Sequence, residues 1–199
     1  MKRKTQLYWI LAHTFAFPVA LTVGFIAIHL FAFIGQFIPE IISSGLGYVL
    51  WGGIIGGLIG LIQWLFLRPH NFPARWIWNS MLGLVIAEMI TVSVLLWFGI
   101  DRNIDLMLSF GAEVWTLTYF MAGALIGYLQ SSFVKSFNIS VLRWVVVSAL
   151  VWGLSTLLWT AMIRFEILGN FAVLFGGLGF GVLSSLSLNY LLKHKTAKK

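Results

Sequence analysis

The sequence predicts an all-α polytopic membrane bundle: six transmembrane helices in one domain spanning residues 1–199, with both termini on the cytoplasmic side. Three observations predict it. Residues are 60% hydrophobic and 10% charged, with a mean hydropathy of +0.95. A soluble domain carries about 25% charge and cannot tolerate so much apolar surface. Six apolar runs are each long enough to cross a bilayer. The basic residues collect in alternate connections, as the positive-inside rule requires.

The runs fall at about 7–36, 45–67, 76–98, 110–134, 144–164 and 170–192, followed by a basic tail at 193–199. The first follows Lys2, Arg3 and Lys4 in the manner of a signal peptide. It is too long for such a core and has no small-residue cleavage site, so it reads as an uncleaved signal anchor. Pro18 lies inside it and removes one backbone hydrogen bond, which predicts a kink that neighbouring helices compensate. Short connections leave no room for a soluble enzyme module. The absence of cysteine excludes disulfides, thiolate metal sites and thiol nucleophiles.

Orientation follows from the cations. Eleven of the thirteen Lys and Arg residues fall on one side: Lys2, Arg3, Lys4, Arg68, Arg75, Lys135, Arg143, Lys193, Lys195, Lys198 and Lys199. The other side holds Arg102 and Arg164 beside Glu40, Asp101, Asp105, Glu113 and Glu166. The net charge of +7 is therefore a topology signal, and its scatter over short loops argues against nucleic-acid binding. The partners this implies are the lipid bilayer, with the tail on anionic headgroups, and other membrane subunits or a second copy. Asn138-Ile139-Ser140 matches a glycosylation sequon but falls on the cytoplasmic side. Trp9, Trp64, Trp76, Trp78, Trp97, Trp115 and Trp144 sit near span ends and read as an interfacial aromatic belt.

An internal repeat organises the middle of the chain. GGLIGLIQWLFLR (Gly56 to Arg68) aligns with GALIGYLQSSFVK (Gly123 to Lys135) at an offset of 67 residues. At an offset of 68, Arg75-Trp76 falls on Arg143-Trp144 and Ser80 on Ser148. Hairpin 45–98 and hairpin 110–164 are thus tandem copies; Gly177, Gly181 and Ser184 carry a fainter third echo, and helix one stands outside the pattern. At 100° per residue, Gly53, Gly56, Gly60 and Gln63 lie within an arc of about 80°, as Gly123, Gly127 and Gln130 do on their helix. Stripes of small residues let helices approach closely in lipid, so Gly53, Gly56, Gly60, Gln63, Gly123, Gly127, Gln130, Gly177 and Gly181 are expected to be packing positions.

The string G-x-x-x-G-x-x-Q-W-L-x-L-R, followed by a short loop and a tryptophan-led helix, resembles a loose group of uncharacterised small bacterial multi-spanning membrane proteins, often from photosynthetic lineages, that reuse this hairpin. The resemblance covers helices two to five and implies a fold rather than an activity. The second copy departs from it at Ser131 and Lys135.

Few residues can carry chemistry. Glu88 lies near the middle of helix three, where a bare charge costs from about 3 to more than 10 kcal/mol. Ser80 and Thr91 share its face within about 80°, making a candidate intramembrane polar site, while its repeat partner is Thr156. His13 and His29 are separated by about 24 Å along helix one and about 160° around it, so they cannot share a metal or haem. Hydrogen-bonded or interfacial histidines, with no cofactor and no metal, are the expectation. HExxH, GxSxG and P-loop strings are absent and no catalytic residue stands out.

The sequence therefore favours a non-enzymatic accessory or assembly subunit of a membrane complex, in a bacterial inner membrane or another energy-transducing membrane. The alternative is a small-solute or proton-coupled transporter, or a transporter's substrate-binding subunit, that uses Glu88.

Overall fold

A backbone in lipid has no water to satisfy its N–H and C=O groups, so apolar runs of this length close their own hydrogen bonds as helices. The computed structural model describes residues 3–34, 37, 40–98, 104–135, 139–165 and 171–196, and the helices account for almost all of them. They are α1 (Arg3–Ile34), α2 (Glu40–Leu67), α3 (Arg75–Phe98), α4 (Ile104–Val134), α5 (Val141–Arg164) and α6 (Ala172–Thr196). No strand occurs among the described residues. Each of the six contains a stretch long and apolar enough to cross a membrane, which makes the chain a multi-pass integral membrane protein.

Several helices outrun the apolar stretches that announce them. α1 takes in Arg3 and Lys4, α2 begins at Glu40 rather than near 45, α4 at Ile104 rather than near 110, and α6 continues to Thr196. Hydrocarbon thickness limits the apolar run, whereas the intrahelical ladder continues into the interface. Lys2, Glu40, Asp101, Arg102, Asp105, Asn138, Glu166 and the tail lysines lie, wholly or in their side chains, outside the described residues.

Each helix packs mainly against its neighbours in sequence, and α6 returns to pack on α1, so the six form a closed ring. The α2–α3 and α4–α5 hairpins make the most extensive interfaces. The tight α2–α3 connection explains one of them. A 3₁₀ turn at Arg68–His70 carries Pro69 and ends at Asn71, whose N–H donates to the Arg68 carbonyl and whose left-handed backbone (φ 63°) turns the chain toward α3. The Trp64 indole donates to Phe72 O (3.1 Å), fixing the loop over the helix ends.

Glycines set the distance between helices. A methyl group at Gly56 would lie 2.6 Å from the Ser80 carbonyl oxygen, and one at Gly60 would lie 3.1 Å from Ile77 Cα. Added at Gly123 it would strike the Ser148 carbonyl, and at Gly127 it would lie 2.9 Å from Val145 Cα. Gly181 faces Ile10 Cα at 3.0 Å and Gly177 the Thr14 carbonyl at 2.7 Å. Pro18 cannot donate to that carbonyl, four residues upstream, so the contact covers the group the proline leaves open. α1 nevertheless runs through Pro18 as one helix. Gly53 is different: an added methyl there meets Val85 at an ordinary 3.7 Å, so close packing does not require this glycine. Gly52, next to it, does face a near contact, 3.0 Å from Glu88 Cγ.

The tryptophans divide in the same physical way. Trp78 and Trp97 are exposed, as an aromatic belt requires, but Trp9, Trp76 and Trp144 are buried. They point into the bundle at the end that carries Arg68, Arg75 and Lys135, hereafter the basic end, where they pack with Leu67, Val134 and Leu188. The outer surface presents Phe15, Met89, Leu117, Leu142 and Leu186 to lipid.

Candidate functional site

The polar face of α3 meets two different surroundings along its length. Ser80 lies one turn inward from Trp76 and donates to its carbonyl (3.0 Å) while accepting from Gln130 Nε2 of α4 (3.1 Å). Around it, Trp76 Nε1 donates to Gln63 Oε1 (2.9 Å) and Trp9 Nε1 donates to Ser184 Oγ (2.8 Å). These bonds join α1 to α6, α2 to α3 and α3 to α4, and all the side chains involved are buried. His13 belongs to the same level. Its Nδ1–H donates to the Trp9 carbonyl (2.8 Å), since a carbonyl can only accept, and its ring stacks on Phe180. A cavity of about 40 Å³ opens among Gln63, Gln130, Ser184 and the three inward tryptophans.

Deeper in the bundle the core turns apolar. Phe17, Ile59, Leu84, Ile126, Trp152 and Phe180 are all buried and form one layer of the main apolar cluster. Trp152 packs edge-on against Phe180 (4.8 Å between ring centroids) and tilts over Tyr119 (6.0 Å).

Beyond this layer lies Glu88, about 12 Å along α3 from Ser80 by helical rise. It is completely buried, and neither carboxyl oxygen has a hydrogen-bond partner among the described residues. The Tyr119 hydroxyl of α4 adjoins this carboxyl, and the Trp51 indole of α2 lies beside Tyr119. The Tyr119 Oη and Trp51 Nε1 atoms are likewise buried, with the indole N–H directed at the Tyr119 hydroxyl. Gly52 packs on the Glu88 stem, and the neighbouring Ala87 is also fully buried. Three polar side chains from three helices therefore meet in an apolar core, and the Glu88 carboxyl has no hydrogen-bond partner among the described residues.

The three residues that share α3's face in sequence thus do not form one site. Ser80 belongs to the basic-end network, Glu88 stands apart, and Thr91 bonds Thr118 of α4 (2.7 Å) one turn further on. Tyr119 and Trp51 were not evident as site residues. The available sign was Trp51's position away from any span end, where the belt explanation does not reach.

His29 is exposed, tied through Nδ1 to Phe25 O (2.8 Å), and far from buried His13. No three His, Cys, Asp or Glu side chains cluster among the described residues. At the opposite end of the bundle, Glu113 pairs with Arg164 (2.7 Å) between α4 and α5, with both side chains exposed. Comparison of the chain with protein-family models, curated proteins and solved structures finds no match.

Proposed function

We propose that the protein is a small transporter, or a transporter's substrate-binding subunit, in which Glu88 takes up and releases a proton. The observation that carries this reading is the carboxyl group itself: fully buried, with neither oxygen partnered among the described residues. A carboxylate left bare at this depth costs about 3 kcal/mol or more, and a structural role would return hydrogen bonds for that cost. Glu88 receives none from the described residues. A group of this kind stays neutral until water, a cation or a substrate donor reaches it, and that change is what a proton-coupled carrier uses.

The accessory or assembly reading rests on short connections, few buried polar groups and glycine faces suited to close packing. Those faces are occupied within the chain: Gly56 and Gly60 pack on α3, Gly123 and Gly127 on α5, Gly177 and Gly181 on α1.

Three units arranged around the ring support the transporter reading, because repeats that meet at a central axis place binding groups between them. Hairpins α2–α3 and α4–α5 are the tandem copies legible in sequence, and we infer that α6 followed by α1 is a third. Gly60, Gly127 and Gly181 meet Ile77, Val145 and Ile10, each one residue after the buried Trp76, Trp144 or Trp9. Trp76 donates to Gln63 three residues after its glycine, and Trp9 donates to Ser184 three residues after its own. In this register His13 stands where the hairpins have Ser80 and Ser148, and Leu21 where they have Glu88 and Thr156. The acid belongs to one unit alone.

Proton coupling places the protein in an energised membrane, such as the bacterial inner membrane, with the basic end and both termini in the cytoplasm. Uptake profiling tests the function. Cells lacking the protein, complemented with wild type or Glu88→Gln, are compared for the solutes they accumulate with and without a protonophore. A solute whose protonophore-sensitive uptake needs wild type and fails with Glu88→Gln supports the reading; identical profiles in wild type, variant and deletion contradict it.

A further inference from the structure

The basic-end cavity has a chemistry of its own. Its wall carries the amides of Gln63 and Gln130, the hydroxyls of Ser148 and Ser184, and the buried indole of Trp144. No carboxylate or cation is among its lining residues. The three inward tryptophans differ in one respect. Trp9 and Trp76 each donate to a side-chain acceptor, Ser184 Oγ and Gln63 Oε1. Trp144 Nε1–H has no acceptor among the described residues, and the Gln130 amide nitrogen is turned toward Ser80. An indole N–H can only donate, so what fills this place must accept a hydrogen bond and be uncharged and small. At about 40 Å³ the space is too small for an organic solute, whose pockets run to several hundred Å³, but it meets the size and polarity that a buried water requires.

The cavity also has a defined neighbour. Trp152 lines it, and the same ring tilts over Tyr119, which adjoins Glu88. Trp152, with Tyr119 behind it, is therefore the part of the apolar core that links the cavity to the buried acid.

We propose that this cavity is a water site linking Trp144 to Gln130, and that it is the compartment from which a proton reaches Glu88 when Trp152 moves aside. The second half rests on the proton-carrying role given to Glu88; the water site does not.

The test uses the whole chain in lipid nanodiscs with ¹⁵N-labelled tryptophan indoles. On transfer to D2O, the Trp144 indole proton is expected to exchange at least about tenfold faster than those of Trp9 and Trp76, which are hydrogen-bonded within the protein. Gln130→Leu, which removes the acceptor and fills the space, is expected to slow it. Protection of Trp144 equal to that of Trp9 and Trp76, or exchange unaffected by Gln130→Leu, overturns the water site.

The barrier is read separately, from deuteration of the Glu88 carboxyl followed in the infrared and assigned by its loss in Glu88→Gln. Trp152→Ala is expected to speed deuteration by about tenfold or more. Trp152→Leu, which keeps more of the packing, is expected to act in the same direction and serves if the alanine variant does not fold. An unchanged rate overturns the barrier. If Trp144 exchanges rapidly while solute uptake survives Glu88→Gln, the water site stands and the role of Glu88 falls; the opposite pair of results removes the water site alone.

Discussion

Two levels of one helix face, Ser80 and Glu88, show how differently this bundle treats polar groups. Ser80 is bonded to its own helix and to Gln130, within a network that ties neighbouring helices at the basic end. Glu88, deeper and more costly to bury, has no bond among the described residues. The first arrangement holds helices in register. The second gives up stability, which is what a site kept for chemistry does rather than a site kept for packing.

The comparison breaks most violently at the glycines that make both levels possible. Gly56→Leu drives a side chain into the Ser80 backbone and is expected to cost about 3 kcal/mol or more, beyond ordinary overpacking, because backbone cannot repack. Reversible unfolding in mixed micelles reads the loss, and stability within error of wild type refutes the close approach. At the paired level, Gln63→Leu strands the Trp76 indole and is expected to destabilise the protein by about 1–3 kcal/mol in the same assay. Thr91→Val removes the hydroxyl that meets Thr118 and is expected to cost about 0.6 kcal/mol, the usual worth of an interhelical hydrogen bond in lipid. The smallest effect belongs to Gly53→Ala, within about 0.5 kcal/mol of wild type, since ordinary contact distance awaits the new methyl. A large loss there would mean that α2 and α3 lie closer than described.

Much of the architecture was legible because lipid imposes so few solutions. Apolar runs announced six helices, and the period of Gly56, Gly60, Gly123 and Gly127 announced which faces meet. Gly53 shared that period without sharing the contact, since an arc of about 80° is wider than the line along which two backbones touch. The inward turn of Trp9, Trp76 and Trp144 was hidden because an indole near a span end satisfies the belt and the core equally well in sequence. Glu88 was conspicuous from its charge alone, but its company was not. Tyr119 lies on a helix whose depth relative to α3 is set by contacts such as Gln130–Ser80 and Thr91–Thr118, which join residues 50 and 27 apart in sequence. Ser80 and Thr91, eight residues behind Glu88 and three ahead, share its face yet sit too far along the axis to share its surroundings.

Glu88 is kept for function at the expense of stability on this reading, and the unfolding free energy of Glu88→Leu measures that trade. Replacing an unpartnered buried carboxyl with an apolar side chain of similar size is expected to leave the bundle as stable as wild type or stabilise it by about 1–3 kcal/mol, while proton-coupled uptake is lost. A variant that unfolds more easily than wild type would show that Glu88 holds the helices together, and would contradict the account.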